Sequence, residues 1–169
     1  MGTTSKPLEC RALSIEWKTP LLAFLTVLED AKESAFFYPH PFSEEALEQI
    51  IQRSRRDLYY VLCEGHDVLG YGLLRGWDEG YEIPSLGIAI HPAARCAGLG
   101  RAFMHFLHAA ARHMGATKVR LRVNSQNSRG LKLYQDLGYV FSSEESGYLV
   151  GFVAFRGSHS EVESGVPQG

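Results

Sequence analysis

The stretch Ser85–Arg101, SLGIAIHPAARCAGLGR, constrains this chain more than any other, because an apolar strand-like run feeds an arginine, two closely spaced glycines and then a helical pattern. Gly98 and Gly100 let the backbone curl without side-chain clash, so successive N–H groups, backed by the positive end of the following helix, can face a phosphate. Arg95 and Arg101 add charge and forked donors. The same glycines also suit a plain strand-to-helix turn, and the loop alone does not choose between the two. It lacks the Lys-Ser/Thr of a triphosphate-binding loop, and Gly98-Leu99-Gly100 lacks the third glycine and acidic ribose partner of a dinucleotide fingerprint.

Around this loop the apolar periodicity predicts one α/β domain over residues 1–156. Cys10–Trp17 alternates loosely as a strand, and Leu21, Leu22, Leu25 and Leu28 follow Pro20 at helical spacing. Ser43 before Glu44 and Glu45 opens a second helix. Leu58–Cys63 and Val68–Leu74 read as a hairpin turned at Gly65, and Ile83–Ile90 as a further strand in which Gly87 marks a bulge or a close backbone approach. From Leu99 a helix runs to Gly115. Lys118–Val123 is a strand, Ser128–Leu137 a helix, and Tyr139–Ser142 with Tyr148–Phe155 a closing strand pair. Residues 157–169, small and polar, read as a disordered tail.

Composition narrows the classes of partner. The 169 residues carry 45% hydrophobic and 21% charged side chains and a formal charge of −2, so no global field favours nucleic acid or an anionic membrane. No apolar run approaches the roughly 20 residues of a membrane span, and the first ten residues lack a signal-peptide core, so the expected compartment is the cytoplasm. The three cysteines, Cys10, Cys63 and Cys96, are widely spaced and form neither a disulfide framework nor a zinc knuckle. His105 and His108 stand three apart without a third ligand and are expected on a solvated helix face, so no metal is expected.

A second block lies about thirty residues downstream, where LRVNSQ runs into Asn127-Ser128-Arg129-Gly130-Leu131-Lys132-Leu133-Tyr134 and ends Leu137-Gly138-Tyr139. Together, strand–RxxGxG–helix and strand–N-x-x-G-x-x-L-Y-x-x-x-G-Y resemble the GNAT superfamily of acetyl-coenzyme A-dependent N-acyltransferases, with the close match over about Ser85–Tyr139. The resemblance implies a mixed, mostly antiparallel sheet, splayed beside a bulge in Ser85–Ile90, with the pantetheine arm along exposed backbone at Ile88, Ala89 and Ile90. It implies the pyrophosphate on the amides of Arg95, Cys96, Ala97, Gly98, Leu99, Gly100 and Arg101, and Asn127 and Arg129 beside the cofactor. Gly130 stands where the family commonly has alanine, which keeps room for the cofactor and lowers helix propensity. Cys96 replaces a basic or glycine residue. A thiol there invites oxidation or simply packs.

Acetyl transfer to an amine needs two proton handlers, since an alkyl ammonium must lose a proton and the departing thiolate gains from an acid. Tyr134 matches the family's acid position, its plainer reading being an aromatic packed beside Leu131 and Leu133. Glu82 is the candidate base. Asp78, Glu79 and Glu82 form an acidic patch that either draws a cationic amine or is a solvated loop. His40 and His91, each next to a proline, are further candidates with a turn role as the plainer reading. The aromatic connection Phe36–Phe42 either lines an acceptor pocket or caps the core. The expected activity is acetylation of a primary amine on a small molecule, by direct attack in a ternary complex. A protein N-terminus or lysine is the alternative acceptor, and a non-catalytic coenzyme A-binding sensor the alternative of another class. Exposed aromatics near the C-terminal strands permit a homodimer.

Overall fold

The computed structural model describes residues 5–157. The expected tail, apart from Gly157, lies outside the described residues. Seven strands form one sheet in the order β1-β2-β3-β4-β5-β7-β6. β1 (Leu8–Ala12), β2 (Leu58–Glu64), β3 (Asp67–Arg75) and β4 (Ser85–Ile90) are antiparallel neighbours. β5 (Lys118–Asn124) is parallel to β4, and β6 (Val140–Glu145) and β7 (Tyr148–Ala154) complete the far side antiparallel to their neighbours. The parallel pair needs a crossover, and α3 (Leu99–His113) supplies it.

Each sheet face has its own apolar layer. α1 (Lys18–Asp30) and α2 (Glu44–Arg53) cover one face, where Leu21, Phe24, Leu25, Leu28 and Leu47 pack with Val61, Tyr71 and Leu73. α3 covers the other through Phe103, Met104, Leu107 and Ala111 against Leu74, Leu86, Val119, Leu121 and Val123. The alternation of β5, with Val119, Leu121 and Val123 buried and Arg120 and Arg122 on the opposite face, follows from the two-residue repeat of a strand. Gly72 lets α3 sit close, since a Cβ there would fall 2.7 Å from Phe103 Cζ. α4 (Ser128–Asp136) follows β5 and brings Leu131, Leu133 and Tyr134 to the same layer.

Several sequence expectations shift in detail. The first strand is β1 alone, and Ile15–Trp17 is a 3-10 turn that leads into α1. β4 begins at Ser85, after Pro84, rather than at Ile83. It keeps continuous register with β3 from Ser85 to Ile90, so the expected bulge is absent from that pairing; register breaks occur instead in β2 at Leu62/Cys63 and in β6 at Phe141/Ser143. Gly87 is a close-packing position, because a Cβ would lie 3.3 Å from Leu73 and from Phe37. His108 does not face solvent: it is buried, and its Nε2 is 2.8 Å from the Tyr139 hydroxyl in a hydrogen bond. The three-apart histidines therefore lie in different surroundings. No described helix is long and apolar enough to cross a membrane.

Candidate active site

The sheet splits at β4 and β5. Pairing is confined to Ser85 with Arg120 and Leu86 with Leu121, after which the strands part. The gap opens a cleft of 610 Å³ bordered by Gly87, Ile88, Ala89 and Ile90 on one side and by Arg122, Val123, Gln126 and Asn127 on the other. Strand backbone without a neighbour offers N–H and C=O groups to an extended ligand, and the edge of β4 at Ile88, Ala89 and Ile90 is such a backbone, open to the cleft. Parted strand ends expose this edge without an inserted residue.

At the end of the gap the chain turns through a 3-10 segment, Pro92–Ala94, into α3. Gly98 caps the helix at φ 77° and offers no side-chain acceptor to its first amides. Those donors lie at the cleft end lined by Cys96, Gly98, Leu99, Gly100 and Arg101. An uncapped helix start of this kind is an anion site in waiting. The residues present fit a pyrophosphate there. Ala97 is exposed and does not line the cleft. Cys96 is exposed and holds φ 67°, a left-handed conformation that favours glycine.

The arginines divide their work. The Arg95 guanidinium donates to both carboxylate oxygens of Glu33, at 2.8 and 3.0 Å, and to the Ile90 carbonyl at 3.2 Å. Arg95 thus ties the 3-10 turn Glu33–Ala35 to the end of β4, and most of its donors are already committed. The Arg95 hydrogen bonds hold the Glu33 carboxyl below its ordinary range. Arg101 pairs with Asp136 at 3.2 Å across α3 and α4. Arg129, exposed at the cleft edge, has no ion pair among the described residues and stands as the more available guanidinium.

Asn127 caps α4, its Oδ1 accepting from the Gly130 amide at 2.9 Å. Gly130 keeps that cap in place, since a Cβ would lie 2.7 Å from Asn127 Nδ2. The missing side chain therefore makes room for Asn127 itself. Tyr134, one turn further on, lines the cleft and packs edge-on to Tyr139 at 5.8 Å. Burial pushes its phenol up to about 12, so it keeps its proton at neutral pH.

A second cleft, of 700 Å³, lies on the α1/α2 face of the split and shares Phe36, Phe37, Leu86, Gly87 and Arg122 with the first. Phe36, Phe37, Tyr38 and Pro39 wall it, while His40 and Phe42 turn toward the core, so the aromatic connection both lines a cleft and caps the core. His40 Nδ1–H donates to the Pro41 carbonyl and Nε2 accepts from the Tyr71 hydroxyl; burial lowers its pKa and keeps it neutral. His91 caps Pro92–Ala94 through Nδ1, which accepts from the Ala93 amide. Neither histidine lines a shared-wall cleft.

The acidic patch is not one unit. Asp78 accepts from the amides of Arg55, Arg56 and Asp57, which lowers its pKa and fixes the connection after β3. Glu82 is exposed and lines neither shared-wall cleft, whereas its neighbours Tyr81 and Ile83 line the second. Glu79 does line the second cleft. Sequence reasoning passed over Arg75, Arg120 and Arg122, which line it too, although the alternation of KVRLRVN already put two of them on one face.

A mixed sheet split next to an uncapped helix start, with clefts meeting at the split, defines an acetyltransferase-type architecture. The model of the acetyltransferase (GNAT) family matches residues 24–139, and the chain belongs to that family of acyltransferases. Among solved structures, the PaiA N-acetyltransferase of Thermoplasma acidophilum in complex with coenzyme A has 18% identity and a TM-score of 0.76, over 88% of this chain and 99% of that one. YncA of Salmonella typhimurium, with its cofactor acetyl-CoA, has 18% identity and a TM-score of 0.71, over 88% and 94%. The ribosomal-protein-S5-alanine acetyltransferase of Vibrio fischeri has 12% identity and a TM-score of 0.71, over 87% and 92%. At these identities the likeness is one of fold. No curated protein sequence matches the chain significantly.

Proposed function

We propose that this protein transfers the acetyl group of acetyl-coenzyme A to a primary amine of a small molecule, by direct attack while both are bound. The observation that carries this reading is the meeting of two clefts at Leu86 and Gly87, with a protonated tyrosine on the cofactor side. Acetyl-coenzyme A supplies an activated thioester. The uncapped amides of α3 and the guanidinium of Arg129 hold its anionic end, and the free edge of β4 orders its extended arm. The PaiA and YncA structures, solved with coenzyme A and acetyl-CoA, support this choice of cosubstrate.

The amine enters from the second cleft. The ammonium first loses a proton to solvent past Glu79; its nitrogen then forms the new C–N bond at the thioester carbonyl as the C–S bond breaks, the sulfur takes the Tyr134 proton, and the nitrogen's second proton leaves to solvent by the same route. The phenolate is then reprotonated from water, so protons balance. Proximity of the two substrates supplies much of the acceleration, and each proton transfer adds ~10²–10⁴-fold. A thiol-release assay with pooled small amines and with peptides tests the reading. Steady release with small amines is expected. Turnover of peptide amines alone would replace the acceptor class, and tight acetyl-coenzyme A binding without turnover of any amine would make the chain a sensor.

A further inference from the structure

Pairing across the sheet puts three polar residues in one row: Arg75 on β3 is opposite Ser85 on β4, and Ser85 is opposite Arg120 on β5. Residues directly opposite one another share a face, and all three line the second cleft. Two strand spacings separate the arginine backbones by about 10 Å, a span that two guanidinium arms can close upon one small anion. Arg120 donates to the Ser85 hydroxyl at 3.2 Å, and Arg75 donates to the Pro39 carbonyl. A guanidinium has five N–H donors, so each keeps most of them.

Both side chains are half-buried, and neither has a carboxylate within 4.0 Å among the described residues. Arg122, two residues beyond Arg120, lies over the Tyr148 ring at 4.1 Å and adds a third cation. Glu79 is the one carboxylate lining this cleft among the described residues. In a chain with a net charge of −2, such an imbalance is local and faces the space where an acceptor must sit. Half-buried guanidinium groups without a counter-ion favour an anionic ligand with planar, forked geometry.

We infer that the acceptor carries a carboxylate as well as its amine, with the carboxylate held between Arg75 and Arg120 and the amine at Gly87. The inference rests on the acetyl-transfer reading above and names its substrate class. Gly87 lies two residues along β4 from Ser85, about 7 Å, within the length of a small amino acid plus an arginine's reach. The aromatic wall Phe36–Tyr38 and Tyr81 flank the space beside this row and suit the apolar part of such a molecule.

The test compares free L-amino acids with their amides and their decarboxylated amines in the thiol-release assay, for the wild type, Arg120→Gln and Arg120→Lys. The expected result is a kcat/KM for the acids about 10- to 100-fold above that for the amides, a preference lost in Arg120→Gln and partly kept in Arg120→Lys, at unchanged KM for acetyl-coenzyme A. Equal or better use of the amides or decarboxylated amines overturns the inference, as does a preference for peptides. A parallel thermal-shift measurement with coenzyme A and N-acetyl-amino acids separates the two readings. If no amine turns over, the transferase reading fails, while a stabilisation by the N-acetyl acids that Arg120→Gln abolishes still establishes the carboxylate site. Absence of that stabilisation removes it.

Discussion

Tyr134→Phe isolates chemistry from architecture. Among the described residues no hydrogen bond holds the Tyr134 hydroxyl, while its ring is packed into the layer formed by α3, α4 and β5. Removing the oxygen therefore strands no protein partner, and stability should change by less than about 1 kcal/mol in either direction. The ring stays, so the cleft wall stays, and affinity for acetyl-coenzyme A should move by no more than a few-fold. Turnover is different: a positioned acid contributes ~10²–10⁴-fold, which is roughly 3–5 kcal/mol in the barrier. The assay is thiol release at saturating acetyl-coenzyme A, with affinity by calorimetry and stability by urea titration on the same preparations. The pH profile adds a second reading, because burial pushes this phenol up to about 12. An acid with that value stays protonated through pH 10, where an ordinary tyrosine would be half ionised, so turnover should hold a plateau there. A variant with wild-type turnover, or one whose turnover falls only in proportion to lost stability, refutes the assignment.

Glu33→Gln should cost about 1–3 kcal/mol by breaking the forked pair with Arg95. Since the Glu33 carboxyl is held below its ordinary range, the stabilisation is present above the unfolded value near pH 4.5 and lost as pH falls through the folded one; wild-type and variant melting temperatures should converge as the pH falls through that lowered range. His108, pushed down to about 4 by burial, disfavours acid: stability should fall by roughly 2–3 kcal/mol as pH drops from the ordinary 6.5 toward 4, and His108→Gln should flatten that slope in melts across pH 4–7. Cys96→Gly should raise stability by about 0.5–1 kcal/mol in urea titration, because the left-handed φ of 67° strains a residue with a Cβ; a loss of stability would show that the thiol's packing outweighs the strain.

Much of this site was legible in the sequence, in proportion to how local its cause is. The starts of α3 after the glycine loop and of α4 at Ser128 are local turn chemistry, written in adjacent residues, and both helices begin where those residues put them. Residues whose role depends on a partner far along the chain were not legible. Arg95 reads as a phosphate ligand until Glu33, 62 residues away, is seen to hold it. His108 reads as a surface residue until Tyr139 is placed against it. Glu82 is close to β4 in sequence, but in the connection before β4 its neighbours Tyr81 and Ile83 line the second cleft and Glu82 does not. The row Arg75–Ser85–Arg120 joins three strands, and only sheet register can assemble it.

The central claim is that acetyl-coenzyme A lies in the split between β4 and β5 with its pyrophosphate on the start of α3. Amide hydrogen exchange with and without saturating acetyl-coenzyme A addresses it directly. Marked slowing at Gly87–Ile90 and at Gly98–Arg101, with little change in β1 and β2, is the expected result. Binding that leaves those two segments exchanging at their free rates would contradict the account.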